Sequence, residues 1–181
     1  EELKPDIIVN TGDTAHTKCN LSPEYFNLTS WLFTSLAEIA PLHMILGNHD
    51  CNVKNSSRLD AVSPLVDALE DPNIHFHKYT QEVDVGNGIV LNILSILDQD
   101  KWGAPSDPEK TNIALYHGAV AGATTDTGWI MEHGEIDLDF LENFDYGLLG
   151  DIHRTNQIVD NHGKARYPGS LIQQNFGESS N

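Results

Sequence analysis

The chain has 181 residues, 27 acidic against 10 basic, and 39% hydrophobic residues, which is enough for one sizeable core and too little for two domains. A net charge of −17 repels phosphate backbones and deprives the bare surface of ordinary nucleic-acid affinity, while no apolar run reaches the roughly 18 residues of a membrane helix. Cys19 and Cys51 lie outside any CxxC pattern, so neither a disulfide framework nor a thiolate zinc site is expected. A reducing compartment, cytoplasmic or nucleoid-associated rather than secreted, fits best despite N-x-[ST] triplets at Asn20, Asn27 and Asn55.

From the amino-terminal side, DIIVN (6–10) reads as a strand rich in β-branched residues. A helix is predicted over 22–40, with Ser22 as N-cap, Pro23 in the first helical position and Glu24 in the first turn. LHMIL (42–46) is apolar again, so strand, helix and strand make a βαβ unit with a parallel pair. A second helix is expected over 58–70, stopped by Asp71-Pro72. IHFHKY (74–79) follows, and then QEVDV and IVLNILSI form a hairpin around Gly86-Asn87-Gly88. Residues 98–112 read as a surface loop and IALYH (113–117) as a strand.

The segment 118–135 has Gly and Thr without period and is expected to wander near the surface. Helical spacing over 136–144 precedes a strand over 145–150, and residues 157–171 suggest a terminal hairpin turning at Asn161-His162-Gly163. The whole pattern predicts a layered α/β sandwich of mixed sheets flanked by helices, one domain over 1–181.

Four of these strands end alike. DIIVN runs into Asp13 and His16, LHMIL into Asn48, His49 and Asp50, IALYH ends on His117, and YGLLG runs into Asp151 and His153. In α/β sheets, ligands bind beyond the carboxyl ends of strands, so the clusters converge if the strands lie side by side. Carboxylate, carboxamide and imidazole donors without thiolates suit divalent cations that activate water and clamp phosphoryl oxygens. Gly12, Gly47 and Gly150 stand where tight turns would bring backbone close to such a site. Strand alternation would point Asp151 and His153 into one crevice and Ile152 away from it. His43, His75, His77, His133 and His162 lack this grammar and carry no expected role.

GDTAH, GNHD, YHG and GDIH, in that order, resemble the motifs of the calcineurin-like metallophosphoesterases. GDTAH and the stretch YPGSLIQQNFGES (167–179) look most like the SbcD-type DNA repair nucleases, which work with an SMC-like ATPase. The resemblance implies two divalent metals, Mn²⁺ first and Mg²⁺, Fe²⁺ or Zn²⁺ as alternatives. It implies that Asp13 bridges them, that Asn48, His117 and Asp151 hold the second, and that His153 helps to hold the first. His49 would stabilise charge or protonate the leaving oxygen with Asp50 orienting it, and His16 would lie near the substrate phosphate.

Two departures stand out. The family's opening Asp-x-His motif is not found, so either the chain is a piece of a longer one, lacking its first strand and first metal motif, or the first metal site is crippled. Asp151 stands where the family usually has His, and its hard oxygen favours Mn²⁺ or Mg²⁺. The function implied is metal-dependent hydrolysis of DNA in repair or recombination, by exonuclease or endonuclease action, with DNA and an SMC-like ATPase as partners and a homodimer compatible. A small-molecule phosphoesterase and a non-catalytic scaffold for the ATPase are the alternatives.

Overall fold

The computed structural model describes residues 3–125, 128–160 and 162–172. β1 (Ile8–Asn10), β2 (Leu42–Ile45) and β3 (Ile74–His77) form a parallel sheet in that order. The crossovers are α1 (Pro23–Ala37) and α2 (Ser63–Leu69). β4 (Gln81–Gly86), β5 (Ile89–Leu94), β6 (Thr111–His117), β7 (Tyr146–Gly150), β8 (Gln157–Ile158) and β9 (Ala165–Tyr167) build a second sheet in the order β4-β5-β6-β7-β9-β8. Its four central strands are parallel, and each edge is an antiparallel hairpin.

α1 forms because the Ser22 hydroxyl accepts the Tyr25 N–H at 3.2 Å and Pro23 presets the first turn. Its buried residues, Thr29, Phe33 and Ala37, recur every four positions. Leu42 and Met44 of β2 share a core with Phe33 and Ala37. The alternate residue Ile45 packs with Leu91, Ile93 and Leu115 in the core between the sheets. Those last three are fully buried, each stabilising the fold by roughly 1.5–3 kcal/mol. The layered α/β sandwich read from the sequence is the observed one.

Several boundaries differ. The helix expected over 58–70 begins at Ser63, because the buried carboxylate of Asp60 turns the chain by accepting the N–H groups of Val62 and Ser63 at 2.9 and 2.6 Å. The helix expected over 136–144 is the single turn α3 (Leu138–Leu141). The segment expected to wander over 118–135 is anchored in its first part: Val120 and Ala123 are fully buried in one core with Tyr116 and Leu149 on the outer face of the second sheet, while Trp129 and Ile130 are exposed. Within the terminal hairpin, Asn161 lies outside the described residues, as do residues 173–179 of the YPGSLIQQNFGES stretch.

Candidate metal centre

The four strand ends do not share one sheet. β1 and β2 belong to the first sheet and β6 and β7 to the second, and the face-to-face sheets bring their carboxyl ends together. There Asp13, His117 and Asp151 each offer one donor atom, and the three atoms lie within 4.8 Å of one another.

Backbone geometry makes this convergence possible. Asp13 and Asp151 both adopt positive φ, 56° and 93°, conformations that non-glycine residues rarely hold without a compensating role. Gly47 packs so closely that any Cβ would strike the Asp13 carboxylate, and a Cβ on Gly150 would come 2.8 Å from Nδ1 of His117. β7 ends at Gly150, so strand alternation does not govern the next residues. Asp151 reaches the centre through its left-handed backbone, Ile152 is buried, and His153 is exposed and outside the three-residue group.

His117 is 1% exposed. Its Nδ1 lies 2.7 Å from the Thr11 carbonyl, which can only accept, so the proton sits on Nδ1. In the neutral ring Nε2 is then a buried lone pair with no hydrogen-bond partner among the described residues, 3.4 Å from Asp13 and 3.8 Å from Asp151. Such an orphaned nitrogen between two carboxylates is the donor set of a divalent cation.

The electrostatics show that positive charge, a proton or a cation, is favoured between the two carboxylates. Burial and the neighbouring Asp13 charge raise the Asp151 carboxyl above its ordinary value. Burial opposes ionisation of Asp13 and protonation of His117, but their mutual attraction outweighs it, lowering the first and raising the second. Two carboxylates forced together need a positive charge between them, which a cation supplies.

Around this group the GNHD turn is arranged by Asp50. Its fully buried carboxylate accepts N–H groups from Ala15 at 2.8 Å and Gly47 at 2.9 Å, tying the two ligand loops together. Asp50 therefore orients loops; the partner of the His49 ring is the His16 carbonyl, 2.6 Å from Nδ1. The His49 N–H donates to Asp13 at 2.9 Å, which fixes this residue beside the centre.

The profile of the calcineurin-like phosphoesterases matches residues 1–170. The chain belongs to that family. It is 40% identical over 184 residues to the "Uncharacterized protein R555" of Acanthamoeba polyphaga mimivirus, covering 96% of this chain and 14% of that protein. It is 25% identical over 186 residues to the "Putative phosphoesterase 244L" of Invertebrate iridescent virus 6, covering 96% of this chain and 61% of that one. The chain thus spans less than two thirds of either relative. The family binds divalent metals, and Asp13, His117 and Asp151 are the candidate residues to hold one here.

Asn48, His49 and His16 face a cleft of about 620 Å³ beside the centre, lined also by Lys18, Val53 and Lys54. All six are exposed, and the His16 and His49 rings are 6.0 Å apart. The lysines escape motif reading, because lysine belongs to none of the ligand patterns. The available signal is the absence of any acid from 14–23 and 51–59 in so acidic a chain.

Proposed function

We propose that the chain is a metal-dependent phosphodiesterase acting on DNA. The observation that carries the reading is the buried, unpartnered Nε2 of His117 held between Asp13 and Asp151. Divalent cations, Mn²⁺ first, would activate water and neutralise charge on the phosphoryl oxygens. Asp13 and Asp151 contribute hard oxygen donors, and His117, fixed by Thr11, contributes the nitrogen. Asn48 and His153, both exposed, would add to the proposed two-metal set, whose first site still lacks the family's opening Asp-x-His motif.

His49 would stand on the substrate side, its ring set by the His16 carbonyl at Nδ1, so that when protonated on Nε2 as well it can give that proton to the departing oxygen. The similarity of GDTAH to the SbcD-type motif supports DNA as substrate. Net charge of −17 works against unaided binding, so the reading includes a partner of the SMC-like ATPase kind.

The test is hydrolysis, with manganese, of linear DNA against 4-nitrophenyl phosphate, the partner present in one arm. Cleavage of DNA that falls by about 10²–10⁴-fold in His49→Ala, with metal stoichiometry retained, is expected. Turnover of the small monoester alone would reject the DNA reading and leave a small-molecule phosphoesterase. Retained activity in His49→Ala would remove the proton-donor role.

A further inference from the structure

We infer that the cleft beside the metal centre is a subsite for the phosphate next to the scissile one along a DNA strand, with Lys18 and Lys54 as its binding residues. The inference rests on the phosphodiesterase reading and specifies how that site selects its substrate.

The cleft adjoins the centre through the GNHD turn: Asn48 and His49 line it, and the His49 N–H is bonded to Asp13. Its volume of about 620 Å³ falls within the roughly 300–1,000 Å³ of small-ligand sites, enough for a nucleotide unit.

Its charge is opposite to that of the molecule. Lys18 and Lys54 line it, and Arg58 stands behind, its guanidinium 3.7 Å from the thiol of the lining residue Cys19. No carboxylate pairs with Lys18, Lys54 or Arg58 among the described residues. Lys78, Lys101 and Lys110 are neutralised by Asp60, Asp98 and Asp84, whereas Lys4, Arg154, Lys164 and Arg166 likewise have no carboxylate partner among the described residues, so what marks the cleft is that its cations are clustered. The flanking stretches 14–23 and 51–59 contain no acid, although the chain holds 27. Asp50, between them in space, is fully buried.

Unpaired cations on an acidic molecule focus anions onto one place. Lys18 is also positioned: its Nζ donates to the Asn48 carbonyl at 3.1 Å, holding the ammonium at the rim of the metal loop with two further N–H donors free. A phosphate seated there lies beside one held at the centre, as consecutive phosphates of a strand do. A monoester or single diester has nothing to place in it.

The experiment compares the thymidine trinucleotide d(TTT), which has two phosphodiesters, with bis(4-nitrophenyl) phosphate, which has one. With manganese, K18Q/K54Q is expected to lower kcat/KM for d(TTT) at least about tenfold more than for the nitrophenyl diester, and K18R/K54R to restore the difference. The slope of log(kcat/KM) against log[salt] for d(TTT) should shrink by about 1 per lysine removed.

Equal losses on both substrates, with an unchanged salt slope, would overturn the subsite while leaving the phosphodiesterase reading intact. If the native chain cleaves neither compound, with or without the ATPase partner, that reading fails instead. Calorimetric titration of d(TTT) in manganese then decides the cleft by itself: weakening in K18Q/K54Q supports it, and unaltered binding overturns it.

Discussion

Two groups of histidine-bearing strands sit on the same pair of sheets and behave in opposite ways. At the carboxyl ends, His117 faces two carboxylates and is raised above its ordinary pKa by them despite burial. Within the first sheet, His43, His75 and His77 face one another: the His43 and His75 rings stack at 4.7 Å, the His43 and His77 rings at 5.3 Å. His43 Nδ1 and His77 Nε2 are 3.0 Å apart, so one ring carries the proton of that bond and the other accepts it. Burial and the neighbouring imidazoles push both down to about 4. The neighbours, not the residue type, make His117 a candidate ligand and keep His43 and His77 neutral.

His117→Ala tests that contrast most severely. Removing the nitrogen should abolish manganese binding at this centre and lower hydrolysis by at least about 10³-fold. His75→Ala, in the other group, should leave the metal stoichiometry unaltered. Calorimetry checks both, and equal manganese binding by native and His117→Ala chains would remove His117 from the ligand set.

A smaller effect concerns pH. His43 and His77 hold folded pKa values near 4, below the usual 6.5, so the unfolded chain takes up protons first as pH falls. Their stabilisation is complete above 6.5 and is lost progressively between 6.5 and 4. At about 1.4 kcal/mol per unit of displacement, the loss is on the order of 3 kcal/mol for each ring at most. Urea unfolding of H43F/H77F at pH 7 and pH 4.5 should show a shallower decline than the native chain. An identical decline in both would mean that these rings do not titrate on unfolding.

The mildest change is Asp151→His, which installs the residue the family usually carries. Histidine tolerates positive φ comparatively well, so the φ of 93° is compatible with it. A softer nitrogen donor should move metal preference from manganese toward zinc by about tenfold, or roughly 1.4 kcal/mol, in competition titrations. An unmoved preference would show that Asp151 does not set it.

Much of the centre is legible in the sequence. Asp13, His117 and Asp151 all fall in the expected ligand set because each ends or follows an apolar strand, and a polar donor at such a place has few packing reasons to be there. His153 is harder, since alternation no longer holds once the strand has ended at Gly150. The loop-tying work of Asp50 is invisible to motif reading, because its partners are the backbone N–H groups of Ala15 and Gly47, which no side-chain pattern reports. The lysine cleft escapes for a related reason: its cations come from two segments about 36 residues apart whose adjacency is a tertiary fact.

Local sequence suffices for the layered α/β class, the parallel pairing of the first strands and the family, because hydrophobic period, capping and the strand-end motifs are local properties. That the candidate donors come from two sheets facing each other is settled only by tertiary packing. Strand periodicity says which residues end a strand, but not which sheet it joins, and the donors meet only once apolar burial between the sheets has aligned their carboxyl ends.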